Sequence, residues 1–215
     1  MQKQEFIPAL RFKWLTGLYN PVVAYTMPEV KFKSALIQQA NIKSDHRVLD
    51  FGVGTATLSL LLSKTQSGCK IDGVDVDEKI LKIARKKINE ENAEIVLSKY
   101  DGLKLPYTND SFDRVITSLV FHHLDKDQKL NALVEIHRIL KTGGELHIAD
   151  WGKPSNVVMR FAFYLVQILD GFKTTGDNVK GLVPIYMEEA GFVNVKTNRS
   201  FNTIFGTLWL YQGIK

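Results

Sequence analysis

The sequence predicts an α/β fold: a mostly parallel seven-stranded sheet, helices on both faces, and a last strand that runs antiparallel. Three observations predict it. Short apolar runs alternate with helical patterns through the first 150 residues, as expected for strands buried on both faces. A glycine pair, Gly52 and Gly54, sits between the first such run and a helix. Two further runs near the C-terminus have no helix between them, and strands joined without a crossover are antiparallel neighbours.

The elements follow in order. Phe6 to Gln39 reads as one or two helices, broken near Asn20-Pro21 and at Pro28. His46 to Phe51 reads as the first strand and Thr55 to Lys64 as a helix. Cys69 to Asp75 is the second strand. Glu78 to Asn89 is a helix with Ile80, Leu81, Ile83, Ala84 and Ile88 along one side. Ala93 to Ser98 and Phe112 to Ser118 are the third and fourth strands. Asp127 to Leu140 is amphipathic, and Gly144 to Asp150 is the fifth strand. Val157 to Asp170 and Pro184 to Ala190 read as helices, the second stopped by Gly191 in the position where glycine ends helices. Phe192 to Asn198 and Thr203 to Tyr211 are the last two strands.

Bulk properties fit one soluble domain. The chain has 215 residues, 45% hydrophobic and 24% charged, enough for a full core. A single cysteine, Cys69, excludes an intramolecular disulfide and a multi-cysteine zinc cluster. It fits a cytoplasmic setting. No signal peptide is read before Asn20. The longest apolar run, Val157 to Leu169, is interrupted by Arg160 and Gln167 and is shorter than the roughly 20 residues of a membrane span. The net charge is +5, but its densest cluster, Arg85-Lys86-Lys87, lies late in a predicted helix, where cations suit the dipole. No nucleic-acid partner is expected from it.

The chemistry begins at Val48-Leu49-Asp50-Phe51-Gly52-Val53-Gly54-Thr55. Its glycines allow a tight turn and close approach of backbone to a ligand at the carboxyl ends of the strands. Asp75 closes the second strand about 20 residues on, where an acid accepts hydrogen bonds from ribose hydroxyls. Asp77 is the better candidate for capping the following helix. Both features suit NAD as well as S-adenosylmethionine. A dinucleotide fingerprint wants Gly or Ala at the sixth loop position, which here is Thr57. Ser98-Lys99-Tyr100-Asp101-Gly102 follows the third strand. Asp101 either accepts an adenine amino group or simply forms a turn with Gly102.

These motifs, in this order over residues 46 to 150, resemble those of class I S-adenosylmethionine-dependent methyltransferases. The chain is most similar to the group containing the ubiquinone and menaquinone biosynthesis methyltransferases. The family's fourth strand matches Ser111 to Ser118, and its turn into the fifth strand matches Leu140 to Leu146. The family's third loop glycine is Ala56 here. The resemblance implies a Rossmann-like domain over 1–215, with a helical lid at 1–40, a cofactor-binding core at 41–150, and acceptor-side helices and the antiparallel strand pair at 151–215. It implies S-adenosylmethionine held by Tyr19, Asp50, Phe51, Gly52, Gly54, Thr55, Asp75, Val76, Asp101, Gly102, Ser118 and Leu119. Tyr19, in a Tyr-Asn-Pro stretch, would cover the cofactor.

Ser118-Leu119-Val120-Phe121-His122-His123-Leu124 would face the acceptor. His122 or His123 is a candidate for removing an acceptor proton, and such histidines are also often structural. No metal site is expected from His122, His123, Asp125 and Asp127, because adjacent side chains diverge along a chain. Trp14, Tyr19, Trp151, Phe161, Phe163 and Tyr164 are candidate acceptor-pocket residues, with ordinary core as the competing role. The expected activity is methyl transfer to a small-molecule acceptor by a monomer or homodimer. A nucleic-acid methyltransferase that acts on a base nitrogen would carry a polar-Pro-Pro-aromatic run where Ser118 to Phe121 stands. A non-catalytic cofactor-binding domain would carry the same loop motifs.

Overall fold

The computed structural model describes residues 29–215. The chain runs through α1 (Glu29–Ala40), β1 (Arg47–Phe51), α2 (Thr57–Thr65), β2 (Lys70–Asp75), α3 (Glu78–Glu90), β3 (Ile95–Lys99) and β4 (Phe112–Ser118). A short 3-10 turn, Phe121–His123, leads to α4 (Lys126–Ile139) and β5 (Leu140–Trp151). Then come α5 (Val157–Asp170), α6 (Phe172–Lys180), α7 (Val183–Glu189), β6 (Val193–Thr203) and β7 (Gly206–Ile214). The strands form one seven-stranded sheet in the order β3-β2-β1-β4-β5-β7-β6. Neighbours from β3 to β5 are parallel, and β7 is antiparallel to both β5 and β6.

Successive strand residues point to opposite faces, and the core divides accordingly. Leu49, Val115, Leu146 and Ile148 pack with Leu133 and Ile136 of α4 and Met187 of α7. Val48, Ile116 and Ala149 pack on the other face with Phe32 and Leu36 of α1, Leu62 of α2, and Phe163 and Val166 of α5. A third cluster joins Val53 and Leu60 to Leu81, Ala84 and Ile88, the apolar stripe of α3. Of the expected N-terminal lid at 1–40, the described part, α1, is therefore a layer of the core. Tyr19 and Trp14 lie outside the described residues.

Caps set several helix starts. Asp77 accepts the Lys79 N–H at 2.8 Å, leaving Asp75 free of that task. Asp125 and Gln128 form a reciprocal capping box on α4, and Asn156 caps α5 through the Met159 N–H. Each satisfies orphan donors of a first turn. No described helix is long and apolar enough to cross a membrane.

Candidate active site

The carboxyl ends of β1, β2, β4 and β5 converge on the loop after β1. Gly52 and Gly54 turn it with φ of +71° and +54°, which L side chains rarely adopt. Gly52 also meets the next crossover, because a Cβ there would stand 2.4 Å from Val120 Cγ2. Ala56 is left-handed as well, at φ +63°. A Cβ in this conformation costs about 1 kcal/mol, so glycine would be the relaxed residue where the family pattern has it. The Val53 N–H donates to the Val74 carbonyl at 2.8 Å, tying the loop to β2.

Asp75 completes that tie. Its Oδ2 accepts the Gly54 N–H at 3.0 Å and its Oδ1 the Asp77 N–H at 3.0 Å. Burial raises its pKa against the pull of these N–H groups. Asp50 lies behind the loop, 2% exposed, and accepts the Ser59 hydroxyl of α2 at 2.6 Å. Burial pushes its pKa up to about 6. Its carboxylate thus holds loop and helix together. Phe51 is a core ring, packed at a tilt against Tyr100 and Phe121 with centroids 5.8 and 6.2 Å away, so only its backbone borders the loop. Thr55 is partly exposed. In α1, Lys33 donates to Thr57 and Glu29, joining the first turns of α1 and α2.

On the other side, Val76 and Gly102 adjoin, with 3.8 Å between Val76 Cγ1 and a Cβ placed on Gly102. Asp101 is exposed and its Oδ1 accepts the Leu103 and Lys104 N–H groups at 2.8 and 2.9 Å. These hydrogen bonds, from Lys104 and then Leu103, lower its pKa. Asp101 therefore forms the turn, and its Oδ2 has no hydrogen bond among the described residues. Ser118 Oγ at the end of β4 is buried without a partner, as is Thr117 Oγ1. Leu119 turns the chain in the left-handed region, at φ +59°, and donates to the Ala149 carbonyl at 2.9 Å. A strained non-glycine residue of this kind is often found beside a functional site.

The two histidines come next. His122 Nδ1 lies 2.8 Å from Asp150 Oδ1, and both side chains are almost fully buried. Asp150 Oδ2 also accepts the Val120 and Phe121 N–H groups at 3.0 and 2.7 Å. His122 Nε2 faces Asp170 Oδ2 at 3.7 Å. Burial alone would lower the His122 pKa, but the charge and hydrogen bond of Asp150, with Asp170, raise it above the ordinary histidine range. The His123 ring lies against His122, with centroids 3.9 Å apart and planes tilted by 42°. Burial and the neighbouring His122 and Lys129 hold its pKa well below that range.

Of the four residues from which no metal site is expected, His122 and His123 come together with a different acid, Asp170. Asp125 caps α4. His122 and His123 do not diverge, however: the 3-10 turn sets their rings side by side, and Asp170 at the end of α5 joins them. Sequence reasoning missed both Asp150 and Asp170. The available signal was an acid closing β5 as Asp75 closes β2. Among the acceptor candidates, Trp151 and Phe163 are core rings packed together at 5.5 Å. Phe161 and Tyr164 face outward.

A glycine turn after β1 answered by an acid at the tip of β2, under a sheet whose reversed last strand lies inside its edge, defines the class. In these features the chain is similar to the class I S-adenosylmethionine-dependent methyltransferases. Residues 48–144 match the family model described as a methyltransferase domain. The chain is 29% identical over 126 residues to the demethylmenaquinone methyltransferase of Thermus thermophilus, covering 59% of this chain and 56% of that one. It is 25% identical over 210 residues to a ubiquinone/menaquinone biosynthesis C-methyltransferase of Cellvibrio japonicus, covering 86% and 80%. A SAM-dependent methyltransferase from Aquifex aeolicus shares the fold, with a TM-score of 0.69 and 21% identity over 98% of this chain and 100% of that one. The chain spans about half the length of several curated relatives it matches, between 41% and 64%.

Proposed function

We propose that the protein transfers the methyl group of S-adenosylmethionine to a small-molecule acceptor. The observation that carries this reading is Asp75. Its carboxylate stands at the carboxyl end of β2 and anchors the glycine loop through Gly54, where a ribose is held in nucleotide-binding α/β sheets. The orphan Ser118 hydroxyl supports a polar ligand along the same strand ends, since buried polar groups are normally paired.

In this reading Asp75 accepts the ribose hydroxyls. Val76, Asp101 and Gly102 border the adenine, with the unbonded Asp101 Oδ2 toward its amino group. The backbone of Phe51 to Thr55, with Asp50 behind it, passes the methionine portion, and Ser118 and Leu119 border it from β4. The sulfonium supplies an activated methyl group. What remains for the chain is alignment and exclusion of water, and proximity and orientation supply roughly 7–11 kcal/mol in favourable cases. His122 is fixed between Asp150 and Asp170. His123 is partly exposed, and burial with the neighbouring His122 holds its pKa down, so its ring presents a lone pair on the acceptor side.

The names of the quinone-biosynthesis relatives support a small-molecule acceptor, and the absence of the polar-Pro-Pro-aromatic run speaks against a nucleic-acid base nitrogen. The single cysteine supports a cytoplasmic setting. The test is transfer of labelled methyl from S-adenosylmethionine into a metabolite extract, run beside tRNA and rRNA. Label in a small organic product is expected. Label in RNA alone, or in neither pool, overturns the proposal.

A further inference from the structure

We infer that His122, His123 and Asp170 form a binding site for a divalent transition ion of the zinc type on the acceptor side of the cleft. The inference deepens the proposed function and rests on it only for the site's use, not for its existence. One donor atom from each residue lies within 4.8 Å of the others. His122 Nε2 and Asp170 Oδ2 are already 3.7 Å apart, and the 3-10 turn brings the His123 ring beside them.

Two further observations point to a cation. The first is what stands behind His122. Its Nδ1 is engaged by Asp150 at 2.8 Å, which leaves Nε2 as the ligating atom. Asp150 is itself fixed by the N–H groups of Phe121 and Trp151, both at 2.7 Å. Metal-binding histidines almost always have their second ring nitrogen oriented in this way. The second is Asp170. Its side chain is 3% exposed, its carboxylate has no hydrogen bond among the described residues, and its one ionic contact there is His122 Nε2 at 3.7 Å. A buried carboxylate is costly unless it is paired or binds a metal. The neighbouring buried cation, Lys129, is committed to the carbonyls of Leu124 and Thr174 and to Asp177.

Two imidazoles and one carboxylate favour zinc, cobalt or iron over magnesium or calcium. Three protein ligands leave a position for water or an acceptor oxygen, whose proton the ion would make easier to lose. The acceptor class that fits is an alcohol, phenol or enol. Partly exposed His123 is the side open to an entering ion.

The experiment is a Co2+ titration of the whole protein without cofactor, read by visible d–d absorption and by Zn2+ competition. One ion per chain is expected. Asp170→Asn and His123→Gln should each weaken binding at least about 10-fold. Calorimetric binding of S-adenosylhomocysteine serves as the check that each variant is folded; a variant that fails it is set aside and the other decides. Absence of a one-to-one cobalt complex, or binding unchanged in the folded variants, overturns the inference. Failure of the wild-type chain to bind S-adenosylhomocysteine counts against the proposed function instead.

Discussion

Asp75 has two tasks, and a substitution there separates this site from a mere turn. Asp75→Ala removes a charged acceptor whose ligand hydrogen bonds are worth roughly 1.5–3 kcal/mol. Calorimetry should show S-adenosylhomocysteine affinity reduced about 10- to 100-fold; wild-type affinity would remove the ribose assignment. The melting temperature should fall as well, since the Gly54 and Asp77 N–H groups lose their acceptor. Asp50 makes a pH-dependent prediction. Burial, opposed by the Ser59 hydroxyl and Lys33, lifts its folded pKa to about 6 from the ordinary 3.8. The unfolded state is therefore the better acid. Asp50 favours the fold below about pH 4, and that contribution is lost as pH rises through 6. Asp50→Asn cannot ionise. Without cofactor it should match the wild type near pH 4 and exceed it by up to about 3 kcal/mol at pH 8. Parallel urea-stability profiles for the two proteins would refute this.

At the scale of elements, α5 separates core from surface along one helix. Phe163, 1% exposed, packs on Trp151, while Phe161 is 68% exposed. Phe163→Ala should cost about 3–5 kcal/mol in denaturant titrations, and Phe161→Ala should stay within about 0.5 kcal/mol. Equal effects would mean that the helix is turned differently. The bounds of α5 and β4 were legible in the sequence because a local apolar run marks each, and Asn156 caps α5. By contrast, α6 was not foreseen. Phe172–Lys180 holds Gly176 and two adjacent threonines, poor helix formers. It is stabilised from elsewhere in the chain: Lys129 donates to the Thr174 carbonyl and Asn178 to the Trp151 carbonyl, at 2.6 and 2.8 Å. β6 runs further than expected because most of its residues face solvent, so no apolar alternation marks its end. The same reason hid part of the site. The loop motifs are contiguous in sequence, whereas Asp150 meets His122 only once β4 and β5 pair.

For the whole molecule, cofactor binding should appear as added stability. Ligand at 100 times its Kd contributes about 2.7 kcal/mol, and each kcal/mol shifts the melting point of a chain this size by about 2–4 °C. S-adenosylhomocysteine should therefore raise it by about 5–10 °C, and NAD should not; the reverse pattern would overturn the cofactor assignment. The sheet order has a separate consequence for how the protein is made. β7 is translated after every other strand, yet it lies between β5 and β6, pairing Glu145–Trp151 on one side and Val193–Thr203 on the other. A nascent chain therefore carries an open β5 edge, and a β6 with no neighbour, until residues near Ile214 have left the ribosome. Open edges recruit other strands, and partly folded chains that expose them aggregate. The fold cannot be completed vectorially. The interval between synthesis of β5 and arrival of β7 is when this chain most needs protection by a chaperone.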